Sequence, residues 1–112
     1  MASGVGVAVV TSQPRSHLWL IEVAGAMGRK IPKSVRHATR EALHHHTGPI
    51  AFALPEVTAC RTTLAEHLLA VHKQRPVVLI APSPAVLEAI AATDQGIAHL
   101  PTFSDLPAAL AS

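Results

Sequence analysis

Apolar positions recur along the chain with two different periods. Residues 4–11 are small and β-branched, and residues 17–24 (HLWLIEVA) read as a strand that puts Trp19 and Ile21 on one face. Only Ser12-Gln13-Pro14-Arg15-Ser16 separates them. That is too short for a crossover, so the two strands are expected to form an antiparallel hairpin. A looser stretch, 25–33, holds Gly25, Gly28 and Pro32. From Ser34 a helix is predicted as far as about His46, with Val35, Ala38, Ala42 and Leu43 at helical spacing and Gly48-Pro49 as its stop. Ile50, Phe52 and Leu54 then alternate as a third strand.

The next segment, VTACRTTLAEHLLAVHK over 57–73, passes from strand to helix through two adjacent threonines. Leu64, Leu68 and Val71 supply the apolar face of a second helix ending before Arg75-Pro76, and Thr63 and Glu66 have the T-x-x-E spacing of a capping box. The run VVLI, 77–80, suits a strand covered on both faces. Ser83-Pro84 offers an N-cap with proline at the first helical position, and Val86, Leu87, Ile90 and Ala91 form the expected buried stripe of a third helix running to Gly96. A short strand near 98–103 and a last helix opened by Ser104 complete the order β-β-α-β-α-β-α-β-α. Helix-length crossovers make the flanking strands parallel. The expectation is therefore one α/β domain over 1–112, with a mixed, mostly parallel sheet of about five strands and helices mainly on one face. Leu20, Val23, Val35, Phe52, Leu54, Leu68, Val78, Ile80, Leu87 and Ile90 are its expected core.

Composition agrees with that picture and narrows the function. With 112 residues, 49% hydrophobic and 14% charged, the chain can bury one real core and has no room for a second. The net charge is only +2, and aromatic residues are 3%. The longest basic cluster is Arg29-Lys30, followed by Lys33 and Arg36, so nucleic-acid binding is not expected. The single cysteine, Cys60, rules out an internal disulfide and reads as a buried thiol at a strand end, in a reducing compartment. No run approaches the roughly twenty apolar residues of a membrane span, and the first residues lack the charged n-region and long apolar run of a signal peptide. A cytoplasmic location and no membrane partner are expected.

A hydroxyl at a helix N-terminus can simply cap the helix or carry a phosphate, since free N–H groups and the helix dipole stabilise added negative charge there. Thr62 and Thr63 are the phosphoacceptor candidates. Of the histidines, His44, His45 and His46 lie in the last turn of the first helix, complementing its dipole; His67 and His72 read as rim residues of the second, and His17 and His99 as satisfied strand residues. Neither paired carboxylates, a nucleophile elbow, a Gly-rich phosphate loop nor H-E-x-x-H is found, so no enzymatic activity, no cofactor and no metal are expected.

This element order, with VTACRTTLAEHLLAVHK and the ending VVLIAPSPAVLEAIAATDQGIAHLPTFSDLPAAL, resembles the STAS domain of anti-sigma-factor antagonists over nearly the whole chain. The resemblance implies a STAS-like fold and a partner-binding surface at the start of the second helix. In that family an Asp-Ser-Ser/Thr-Gly motif stands there, and its second hydroxyl is phosphorylated by a partner kinase. Aligned without a gap, Arg61 takes the place of the Asp, Thr62 of the first hydroxyl, Thr63 of the phosphoacceptor and Leu64 of the Gly. Two further acidic positions of the family correspond to Gly28 and Ala53, so the hydroxyls are kept and the carboxylates are lost.

The implied function is regulatory: binding an anti-sigma factor or related switch kinase through Gly28, Arg61, Thr62, Thr63, Leu64 and His67. Arg61 would meet a carboxylate or phosphate of a different partner, bridge to a phosphothreonine, or stand solvated. Two alternatives are a constitutive adaptor or assembly subunit without a switch, and a small-anion-binding domain that uses Arg61 as counter-charge. The oligomeric state is open, a homodimer being one option.

Overall fold

Antiparallel pairing at one edge and parallel pairing everywhere else organise the sheet. The computed structural model describes residues 8–93 and 100–111. Strand β1 (Ala8–Arg15) pairs antiparallel with β2 (Leu18–Ala26). The turn is tighter and later than the sequence suggests: β1 continues to Arg15, and the chain reverses at Ser16, with φ 58°, and His17. His17 is thus an exposed turn residue and not a satisfied strand residue. Pro14 stays within β1 because β1 is an edge strand, where a missing N–H costs no ladder bond. Across the pair the Trp19 indole N–H donates to Ser12 Oγ at 2.9 Å.

Strand β3 (Ile50–Ala59) runs parallel to β2, pairs over residues 50–53 with parallel β4 (Val77–Ile80), and β5 (Thr102–Phe103) lies parallel beyond β4. Helices α1 (Lys33–His45), α2 (Thr62–His72) and α3 (Pro84–Ala91) connect them, and α4 (Leu106–Leu110) follows β5. The described residues thus form a compact α/β domain, with a mixed five-stranded sheet in the order β1-β2-β3-β4-β5 and four helices. Of the fifth-strand segment, residues 98 and 99 lie outside the described residues, as do His99, the expected helix stop at Gly96 and the beginning of the first strand.

Side chains alternate across the sheet and make a core on each face. Ile21, Val23, Ile50, Phe52 and Leu54 meet Val35, Ala38 and Ala42 of α1, Leu64, Leu68 and Val71 of α2, and Val86 and Ile90 of α3. On the opposite face Leu18, Leu20, Ala51, Ala53 and Ile80 gather with Ala109 of α4. Three helices cover one face and the short α4 the other.

The helix ends bring further corrections. In α3, Ser83 Oγ accepts from the Val86 N–H at 3.3 Å while the Ser83 N–H donates to the Leu54 carbonyl at 3.1 Å, and this anchoring sets the helix phase. Val86, Ala89 and Ile90 are buried; Leu87, expected in the core, is 50% exposed, and Ala91, four residues on, shares its outer face. Val78 is half-buried, while the other eight expected core residues are buried. Helix α4 is capped by Asp105, whose Oδ1 accepts from the Ala108 N–H at 2.9 Å, one residue later than Ser104.

Candidate functional site

Strand β3 does not stop where its alternation fades. It keeps pairing with β2 as far as Ala59, past the end of β4, so its last residues extend the sheet beyond β4 and deliver the chain to α2. The acidic position assigned to Ala53 therefore falls mid-strand, buried against the α4 side, and not at the strand end. The Met27 N–H donates to the Ala59 carbonyl at 2.7 Å, which fastens the loop after β2 beside the start of α2. Gly28 is brought next to residues more than thirty positions away by that contact. A Cβ at Gly28 would meet nothing within 4 Å, so open space and not backbone necessity surrounds it.

The first turn of α2 differs from the expected capping box. Arg61 is the N-cap residue, extended at φ −121° and ψ 177°, and no side chain caps the helix. Thr63 already lies inside the helix, one residue beyond the first position, so its side chain is past the geometry that reaches an N-cap-bonded N–H. Its Oγ1 is buried and has no hydrogen-bond partner among the described residues. Leu64 is 1% exposed and belongs to the core, which leaves its side chain unavailable to a partner.

Two cavities flank this turn. One, of about 660 Å³, is lined by Gly28, Cys60, Arg61, Thr62, Ala85 and Glu88, among others. The second, of about 700 Å³, is lined by Arg29, Lys30, Lys33 and Arg36 from the loop and α1, and by Thr63, Glu66 and His67 from α2. Consecutive helical residues point about 100° apart, so the two threonines face different cavities. The sequence-predicted set is divided accordingly: Gly28, Arg61 and Thr62 on one side, Thr63 and His67 on the other, Leu64 inside.

The polar groups around the two cavities have defined roles. Thr39 Oγ1 donates its one proton to the Val35 carbonyl at 2.8 Å, so His67 Nε2, 3.1 Å from the same oxygen, is the donor in that contact. The His67 ring stands edge-on to Phe52, and burial first, then the Arg36 charge, hold its pKa below the ordinary value. Cys60 Sγ donates to the Ala85 carbonyl at 3.3 Å, and burial pushes its pKa up, which keeps it a thiol. Arg61 and Glu88 share a cavity without an ion pair among the described residues. His72 has a structural role, its Nδ1 accepting from the Val77 N–H at 3.1 Å.

Arg29, Lys30, Lys33 and Arg36 were visible in the sequence as its longest basic cluster, but nothing local to them indicated Thr63 as their neighbour. Cys60, read from the sequence as a buried thiol, is half-buried and lines the groove, and no local signal marked Ala85 and Glu88 as its neighbours. Along α1, His37 Nε2 and Glu41 Oε2 lie 3.8 Å apart, so a carboxylate does stand at helical spacing from a histidine; among the described residues no group of three or more His, Cys, Asp or Glu side chains is placed to hold a metal ion. No helix among the described residues is long and apolar enough to cross a membrane. No protein-family model matches the chain, and comparison with characterised proteins gives no match.

Proposed function

We propose that this chain is a STAS-like regulatory domain that binds an anti-sigma factor or related switch kinase through the groove at the start of α2. The observation that carries this is the convergence of Gly28, Arg61 and Thr62 on one cavity with Ala85 and Glu88 of α3. An antiparallel opening hairpin followed by parallel strands in sequential order supports the same family reading. Arg61 and Glu88, unpaired with each other, supply one charge of each sign for a partner to read.

A second reading, the constitutive adaptor, is favoured by Thr63. A hydroxyl with no accessible oxygen surface is a poor kinase substrate unless the first turn of α2 opens, and the acidic positions beside it are lost. Thr62, half-buried on the groove, is the more reachable hydroxyl. Calorimetric titration with a purified kinase-type anti-sigma factor tests the docking, and mass spectrometry after incubation with ATP tests the switch. Binding without phosphorylation selects the adaptor; absence of binding across such partners rejects the family function.

A further inference from the structure

The second cavity is a different surface from the docking groove, and its chemistry points elsewhere. Four cations, Arg29, Lys30, Lys33 and Arg36, line it against the single carboxylate of Glu66. None of the four makes an ion pair or a side-chain hydrogen bond among the described residues, and neither does Glu66. Mutual repulsion between unpaired cations around one concavity raises the local positive potential and is relieved by an anion. We infer that this cavity, between the β2–α1 loop, α1 and α2, is a binding site for a small molecule bearing more than one phosphate group.

The charge and the shape each limit the ligand. With His67 neutral, four positive charges against one negative leave an excess of three, which matches a diphosphate or triphosphate better than a monoanion. About 700 Å³ lies within the range of small-molecule sites, and far exceeds what an inorganic phosphate would fill. Ile31 and Pro32 line the same space and offer an apolar wall for the organic part of such a molecule. Arg29 and Arg36 present planar guanidinium forks suited to bidentate phosphate contact, with Lys30 and Lys33 as point charges. A concavity instead of a stripe along the surface, and no Trp, Tyr or Phe side chain at its wall, favour a compact ligand over a nucleic-acid strand. Arg61, on the other cavity, takes no part, so this inference does not rest on the proposed docking function and either can fail without the other.

Amide chemical-shift mapping of the whole chain tests it, with pyrophosphate, ATP and inorganic phosphate as probes and sodium chloride at matched ionic strength as reference. Saturable shifts are expected for pyrophosphate and ATP at residues 29–36, Thr63 and Glu66, with inorganic phosphate at least tenfold weaker. Lys33→Glu and Arg36→Glu should each weaken ATP at least tenfold, while Lys73→Glu, an exposed charge at the far end of α2, should change it less than twofold. Lys33→Gln and Arg36→Gln carry the same test if a charge reversal impairs folding. Shifts reproduced by sodium chloride, an equal loss in Lys73→Glu, or a single-stranded oligonucleotide that binds these residues more tightly than ATP would each overturn the assignment.

Discussion

His67 of α2 donates from Nε2 to the hydroxyl of Thr39 in α1, 3.1 Å away, and so joins the two helices that border the basic cavity. The bond requires a proton on Nε2, which the neutral Nε2–H tautomer already supplies, and burial disfavours adding the second proton that makes the cation. A histidine whose folded pKa is lowered binds fewer protons when folded than when unfolded, so stability falls as pH drops below its ordinary value of 6.5 toward the lowered one. Urea denaturation across that window should show a loss in the wild type that is smaller in His67→Gln. An identical pH profile in both proteins would remove His67 as the cause.

Thr63 should behave opposite to a helix cap. Its buried Oγ1 has no partner, so Thr63→Val, which keeps the shape and deletes the hydroxyl, is expected to raise stability by about 1 kcal/mol. Loss of a true cap would lower stability by a similar amount. The sign of the change in denaturation midpoint decides between them.

At the N-cap of α2, fold and function should pull in opposite directions. Aspartate is a favoured N-cap residue and arginine is not, so Arg61→Asp is expected to stabilise the domain by about 1 kcal/mol. The same change reverses a charge on the docking groove and should weaken the native partner at least about tenfold, roughly 1.4 kcal/mol. Thermal melting and calorimetric titration of one variant measure both effects. Unchanged binding would mean that Arg61 is a solvated bystander.

Gly48 should tolerate no side chain. A Cβ there would stand 2.6 Å from the His17 carbonyl oxygen, a backbone atom of the β1–β2 turn that cannot rotate away. Gly48→Ala is expected to cost about 1–3 kcal/mol, read from chemical denaturation, because turn and loop must separate.

Much of the architecture follows from local rules that act within a few residues. Ser83-Pro84 starts α3 because a hydroxyl accepts the Val86 N–H and proline has no donor to lose, and VVLI makes a strand because both faces of the central sheet are covered. The short link between the first two runs imposes a hairpin whatever the rest of the chain does. These interactions depend on neighbours in sequence, so the element order and the fold class were legible there.

What depended on neighbours in space was not. The phase of α3, and with it the exposure of Leu87, was decided by where Ser83 docks on Leu54, a contact outside any helical pattern. The extension of β3 to Ala59 carried Arg61 into the N-cap position and left Thr63 inside the helix, undoing a capping box that the T-x-x-E spacing allowed. Thr62 and Thr63 are adjacent in sequence, yet helical rotation sends one toward Arg61 and Glu88 and the other toward four cations of the β2–α1 region. Periodicity specifies which residues share a face of their own element; which foreign side chains that face meets is decided by packing between elements, and only the tertiary structure contains that information.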